Sequence, residues 1–338
     1  MTLLDDNNRT EQEIESAAVR YTYITFYLFV ILSSLTGDTL ILLASIKYKA
    51  FRLHRVIVVI IQHIAVCDLL VTLTYVVPIC ISAIATRWVL GDFLCYVVTY
   101  TTYYYNAVGV LLISAMTSFK LLLLKYPLRV GSTSTSTAHT LCGSCWIVVV
   151  LSVAVLLIDW RDVYFSRETY KCTYGFSSDI WRFLRPLIAF VFILAPTCLV
   201  ITTSVYILVK AKAVAKRGRE SLKWQGIMTT VLTATVFCVS ILPYFVYRVR
   251  ESVISGDKNN SSVSFAHFNR VTISFFCLNT ISNFYIYSLT VPSFRSFVLT
   301  RIRLVHQLVF NKQPSTEHGG TETRTGYLED NTTQQTPA

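Results

Sequence analysis

The chain has too little charge for a water-soluble globule. Only 14% of its 338 residues are Asp, Glu, Lys or Arg, against 53% hydrophobic ones, and the mean hydropathy is +0.52. A soluble domain carries about 25% charge. Further absences narrow the function. There is no Gly-rich phosphate loop, no metal-ligating His pair and no nucleophile–base pairing, and the six histidines are scattered, so enzyme chemistry has no foothold. The nine cysteines follow no metal spacing; Cys67, Cys80, Cys142, Cys145, Cys198, Cys238 and Cys277 sit inside apolar runs, where packing as small hydrophobes accounts for them. A channel would need a filter-like loop or a charge ring, and neither is evident. A secondary transporter, the main alternative from a different class, would show inverted repeats and broken spans; the halves share no motif. Residues 1–20 are acidic and lack an apolar core, so the first apolar run must itself direct insertion.

What the chain does have is long apolar runs. A spanning helix needs about 20 apolar residues, and seven windows meet this, at roughly 22–46, 57–84, 93–124, 140–160, 182–209, 227–250 and 269–291. The runs are continuous, not alternating, which favours helices over barrel strands. The expected fold class is an all-α membrane protein. A seven-transmembrane helix bundle occupies 22–310, with a short amphipathic helix after the seventh span from Pro292 to about Val309. Polar tails flank it, 1–21 outside and 311–338 inside, both expected to be disordered. The second tail carries Ser315, Thr316, Thr321 and further threonines among acids, a phosphorylation cluster if it is more than a solvated tail.

A net charge of +11 could suggest nucleic acid, but its placement points to membrane lipid instead. Basic residues fill the gaps after the odd-numbered spans: Lys47, Lys49, Arg52 and Arg55; Lys125 and Arg129; Lys210 to Lys223; Arg295, Arg301 and Arg303. The positive-inside rule makes those gaps cytoplasmic and the N-terminus extracellular, as in a multi-pass protein of the cell membrane. Glycosylation sequons at Asn8, Asn259 and Asn260 fall where this topology puts the outside.

Several short patterns then point to one family. Trp88-Val89-Leu90-Gly91 precedes Cys95 at the start of the third run, and Cys172 lies in the polar gap after the fourth. Asp68 stands in Ala65-Val66-Cys67-Asp68-Leu69, and the seventh run holds Asn279 and Asn283-Phe284-Tyr285-Ile286-Tyr287, followed by Phe294-Arg295. Over about 22–300 the chain resembles the rhodopsin-like (class A) G-protein-coupled receptors. The resemblance implies a Cys95–Cys172 disulfide above the bundle, and a buried polar cluster of Asp38, Asp68, Asn279 and Asn283 whose acids would share a proton or hold a cation. Sodium at Asp68 is the one metal it admits; Gly109 stands where the family's site has a serine, and a helix-packing network without an ion is the other reading.

The activation switches carried over from the family are altered. Phe119, Lys120 and Leu121 replace Asp-Arg-Tyr, and lysine lacks arginine's planar fork. Phe237 and Pro243 flank Ser240-Ile241 where Cys-Trp is common, Ser204 takes the usual tyrosine position of the fifth span, and Tyr287 closes a motif that has lost its proline. Two readings follow. One is a receptor coupling an extracellular ligand to heterotrimeric G proteins, and to arrestin, with raised basal activity. The other is an atypical seven-helix receptor that binds ligand or partner receptors without efficient coupling. Thr102, where amine receptors carry aspartate, argues against an amine ligand; Cys277, where opsins carry lysine, excludes a retinal Schiff base. Candidate contacts are Tyr103, Asn106, Arg185, Tyr244 and Arg248. With Arg182, Arg250 and Arg270 nearby, they suit an anionic small molecule or acidic peptide, unless the arginines merely snorkel at the interface.

Overall fold

Water is absent from the hydrocarbon region, so every backbone N–H and C=O there must be satisfied within its own helix. A computed structural model describes residues 17–46, 51, 53–154, 163–167, 169–174, 187–188, 190–215, 222–254 and 263–310. Span one is the helix Ala17–Ile46. Span two runs Arg55–Val71, loosens into a π turn at Thr72–Val76, and continues as Val77–Ala85. Span three is Gly91–Lys125, followed by a one-turn helix Pro127–Gly131, and span four is Thr135–Ala154. Span five opens with a π turn at Phe190–Leu194 and continues as Ala195–Ala215. Spans six and seven are Leu222–Ile254 and Val263–Thr290, and a last helix covers Pro292–Phe310.

Both π turns precede a proline, Pro78 and Pro196. Proline supplies no N–H to the preceding turn and its ring crowds the carbonyl four residues back, so a wider turn absorbs the mismatch. Span one begins five residues before the apolar window, at Ala17, and so takes in part of the stretch expected to be tail. Residues 182–186, expected to open span five, lie outside the described residues.

Among the described residues, six helices are long and apolar enough to cross a membrane. Span seven is more polar, and the reason is visible in its packing: Asn269, Arg270, Thr272, Thr280 and Asn283 are all buried. Large apolar side chains instead face outward, among them Leu32, Ile147, Leu151 and Leu289. That inversion is what a lipid solvent selects. Hydroxyls on the spans bond back to their own helix, as Thr36 does to the Leu32 carbonyl (2.7 Å) and Thr102 to that of Val98 (2.6 Å).

Neighbouring spans are joined by sparse polar contacts. The Ser114 hydroxyl of span three donates to the Pro196 carbonyl of span five (2.9 Å), and Thr229 of span six donates to Thr290 of span seven (2.9 Å). Between spans two and four, the Trp146 indole N–H donates to His63 Nδ1 at 3.2 Å. That bond puts the neutral ring's proton on Nε2, which faces His139 Nδ1 at 3.3 Å.

The polar gap after span four is more than a loop. It holds a two-stranded antiparallel hairpin, β1 (Val163–Ser166) and β2 (Lys171–Tyr174), paired from Val163↔Tyr174 to Ser166↔Lys171. The described residues up to Val298 belong to one compact unit, and 299–310, the last turns of the final helix, belong to a second.

Candidate functional site

Charge buried in a lipid-solvated bundle marks where function concentrates. Asp68 on span two accepts a 2.8 Å hydrogen bond from the Asn283 side-chain amide of span seven. Asp38 on span one is fully buried and accepts from Ser34 (2.7 Å). The Thr72 hydroxyl lies 2.7 Å from Ser34 Oγ and 2.9 Å from the Asp68 backbone carbonyl, so a hydroxyl chain ties the Asp38 carboxyl to the backbone of span two. A small cavity of about 20 Å³ lies beside Asp68, lined by Asn106, Gly109, Asn279, Thr280 and Phe237 among others. That is room for one water or one small ion.

The structure therefore brings Asp68, Asn279 and Asn283 together and adds Asn106, which was expected to contact ligand. Asp38 does not line the cavity, and its Oδ1 is buried without a hydrogen-bond partner. The residues fit a hard monovalent cation. Asp68 supplies charge, and Asn106, Asn279 and Thr280, residues with side-chain oxygens, line the same space. Among the described residues no group of three His, Cys, Asp or Glu could hold a metal ion.

At the end of the bundle far from the hairpin, the switch positions have new neighbours. Phe119 is buried and its ring lies 5.4 Å from that of His54. His54 Nδ1 accepts the Val56 N–H (3.3 Å), which leaves the Nε2 proton for the Gly131 carbonyl (3.1 Å). One imidazole thus caps span two, bonds the short helix and packs on span three. Lys120 and Leu121 follow, half-buried, and among the described residues no carboxylate pairs with Lys120. Phe237 and Ile241, one turn apart on span six, both line the cavity, with Pro243 just beyond inside the same helix.

Tyr287 is buried, with its ring edge-on to Phe51 (5.9 Å) and Phe294 (6.4 Å) and its hydroxyl without a hydrogen-bond partner. Phe284, in place of the family's proline, lies against Gly37 of span one. A Cβ on Gly37 would sit 2.7 Å from Phe284 Cγ and 2.8 Å from its Cβ. Only glycine permits that approach.

At the hairpin end, Cys95 at the top of span three and Cys172 on β2 are joined in a disulfide, Cα–Cα 5.4 Å. Of the expected ligand contacts, Tyr103 is half-buried against the larger apolar core and Tyr244 stacks on Phe276 at 5.1 Å. Arg185 and the side chain of Arg248 lie outside the described residues, as do Asn8, Asn259 and Asn260. One residue was missed. Lys171, 4% exposed, reaches over the Tyr244 ring at 5.4 Å. Its place immediately before a cross-linked cysteine was the available signal. Arg270, 8% exposed, lies 5.0 Å from the Tyr170 ring and 5.8 Å from that of Tyr23.

Comparison with known proteins agrees with this arrangement. The mouse (Mus musculus) cysteinyl leukotriene receptor 1 is 23% identical over 236 residues, 67% of this chain and 65% of that protein. The chain thus matches slightly less than two thirds of that relative's length. Human C-X-C chemokine receptor type 2 is 28% identical over 167 residues, 49% of this chain and 45% of the receptor. The crystal structure of squid rhodopsin superimposes with a TM-score of 0.71 at 14% identity, covering 87% of this chain and 88% of that one, which establishes a shared fold. The family described as 7 transmembrane receptor (rhodopsin family) matches residues 37–311, most of the chain. This chain therefore belongs to the rhodopsin family of seven-transmembrane receptors, and is a multi-pass membrane receptor, not an enzyme.

Proposed function

We propose that this receptor passes the signal of an extracellular acidic ligand to heterotrimeric G proteins, and that it signals appreciably without ligand. The observation that carries the reading is the far end of span three. Lys120 has no carboxylate partner among the described residues, and a neutral contact, Phe119 on His54, occupies the adjacent position. Without an ion pair to hold the resting state, the equilibrium between resting and signalling arrangements shifts. A change of 1.4 kcal/mol in that balance alters the population ratio about tenfold. The run of basic residues from Lys210 to Lys223 supplies a cationic surface for a cytoplasmic partner.

The acidic ligand is favoured by Lys171 and Arg270, buried at the hairpin end. The names of the leukotriene receptors among the relatives lean the same way. Orientation follows from the Lys and Arg residues that crowd the odd-to-even gaps, which puts the hairpin outside the cell. Sodium at Asp68, held with Asn106, Asn279 and Thr280, would neutralise the buried acid and favour the arrangement in which the cavity exists. Arrestin is the partner for the Ser/Thr-rich tail, once phosphorylated.

The test is ligand-free second-messenger output across several pathways, for the native chain beside Lys120→Arg and Phe119→Asp. The native chain should exceed untransfected cells, and Phe119→Asp, which offers Lys120 a neighbouring acid, should lower the output. Native output equal to that of untransfected cells, unchanged in both variants, would leave the atypical, non-coupling receptor as the reading. The altered Phe119, Ser204 and Ile241 already favour that alternative in part.

A further inference from the structure

A chain of polar groups crosses from span four to span two and back, and each link fixes the next. The Trp146 indole can only donate, so at 3.2 Å it makes His63 Nδ1 the acceptor and puts the His63 proton on Nε2. That proton goes to His139 Nδ1 at 3.3 Å, which confines the His139 proton to its own Nε2. The two rings meet edge to face, with centroids 5.5 Å apart. The neutral pair thus holds two ring protons, and a third has no place. On His63 it would sit on Nδ1, against the Trp146 N–H. On His139 it would sit on Nδ1, against the His63 N–H. Shifting the His63 proton to Nδ1 to make room only returns the conflict to Trp146. Whichever ring is protonated, one of the two bonds is lost. The same tautomer leaves His63 Nε2 without a lone pair for a metal ion, so the pair does not form a metal site.

The surroundings offer the extra proton no compensation. Among the described residues no carboxylate bonds to either ring; Asp68, further along span two, is turned to Asn283 of span seven. His54, at the start of span two, is engaged with Gly131. Cys67 of span two, Cys142 and Cys145 of span four, and Tyr104 and Tyr105 of span three against Trp146 carry no charge near neutral pH. Arg55 of span two and Lys120 of span three are cations and oppose a further one. Yet a proton can reach the pair. His139 is exposed, and it follows Thr135, the first residue of span four, by about 6 Å of helix rise. Ser134, Ser136, Thr137 and Thr140 around it keep that end of the span polar.

We propose that Trp146, His63 and His139 form a proton-operated clasp: one proton taken up by the imidazole pair breaks the chain and frees span two from span four. The helix released is the one that carries Asp68. The inference needs neither a ligand nor a G protein, so it is tested on purified full-length receptor. In phosphatidylcholine nanodiscs the receptor is melted, followed by circular dichroism, as pH falls from about 7.5 to about 5.5, across the imidazole range. Unfolded imidazoles accept protons without losing a bond, so the unfolded chain binds more of them and stability falls with pH. The comparison is the double variant His63→Asn, His139→Gln, whose amides supply the same donor and acceptors and do not titrate. Every other histidine and carboxylate is common to both chains. Over that interval the native receptor should lose about 2–4 °C more than the double variant. Trp146→Phe removes the donor that fixes the His63 tautomer, so a proton can rest between the rings. Whatever its starting stability, that variant should show no excess acid sensitivity. Equal acid shifts for the native receptor and the double variant would overturn the proposal. So would a Trp146→Phe receptor as acid-sensitive as the native one; where that variant yields no folded receptor, the first comparison decides.

Discussion

Gly37→Ala changes one hydrogen into a methyl group, and the geometry predicts that it destabilises the bundle. The new Cβ would lie 2.7 Å from Phe284 Cγ, 2.8 Å from its Cβ and 3.2 Å from Cδ1. Carbon–carbon contacts settle at about 3.5–4.0 Å, so roughly 1 Å must be found. A ring can swing, but the Phe284 Cβ is fixed to its helix, so span seven itself must retreat. That movement strains the neighbouring Asn283–Asp68 bond at 2.8 Å and the Ser33–Tyr285 contact at 3.4 Å. Overpacking of this kind costs about 1–3 kcal/mol, and alanine's better helix propensity offsets about 1 kcal/mol of it.

From the middle of that overpacking range, about 2 kcal/mol, the net loss is about 1 kcal/mol, a melting point lower by about 2–4 °C at the usual 2–4 °C per kcal/mol. The receptor carries its own reporters. Cys67, Cys80, Cys142 and Cys277 are free and buried, so a thiol-reactive dye follows unfolding. Apparent midpoints are compared at one scan rate, since unfolding from detergent is irreversible. In a Phe284→Ala background the ring contacts vanish while the 2.8 Å contact to Cβ stays, so the same Gly37→Ala change should cost about half as much. A Gly37→Ala receptor as stable as the native one, or an equal penalty in both backgrounds, would refute the claim that this contact sets the spacing of spans one and seven.

Other perturbations test the remaining links. At Gly109 an added Cβ meets only Cys67 Sγ at 3.9 Å, so Gly109→Ser should fit and place a hydroxyl beside Asp68. It should enlarge the difference in melting temperature between sodium and potassium buffers, and an unchanged difference would remove the cation reading. Cys172→Ser opens a cross-link spanning 77 residues, worth about 4 kcal/mol in chain entropy. Surface expression should fall sharply, and the Cys95→Ser, Cys172→Ser double variant should be no worse than either single one. His63→Asn keeps an acceptor for the Trp146 N–H and should cost under about 1 kcal/mol, whereas His63→Ala strands that donor and should cost about 1–3 kcal/mol. Equal thermal shifts for the two variants would show that the indole bond contributes nothing.

The seven-helix fold was legible because lipid imposes it: runs of about 20 apolar residues have no other stable use. Even span seven could be read, since Asn279 and Asn283 stand among Ile273, Phe275, Phe276, Phe284 and Ile286. Contacts that depend on three-dimensional neighbours were not legible. No local pattern announces that His54 will pack on Phe119, or that Gly37 will face Phe284, because the partners lie 65 and 247 residues apart (119 − 54 and 284 − 37). The hairpin was overlooked for a different reason. Four-residue strands such as Val163–Ser166 are too short to show a period of two. Lys171 was passed over because a lysine in a polar loop is ordinarily solvated; only the pairing of β2 with β1 and the cross-link at Cys172 turn it inward.

The departures from the family's motifs are matched by their surroundings, and this bears on whether the bundle still switches. Phe119 has His54, Phe284 has Gly37, and Ile241 closes a cavity that Phe237 and Asn279 share. What stays unmatched among the described residues is polar: Asp38 Oδ1 and the Tyr287 hydroxyl are buried and unpartnered. Each such atom costs about 1–3 kcal/mol. A rearrangement of span seven that carried the Tyr287 hydroxyl to Asp38 Oδ1 would recover that energy for both partners at once. The unsatisfied polar atoms therefore sit on spans one and seven, between the cavity beside Asp68 and the Lys120 end of the bundle.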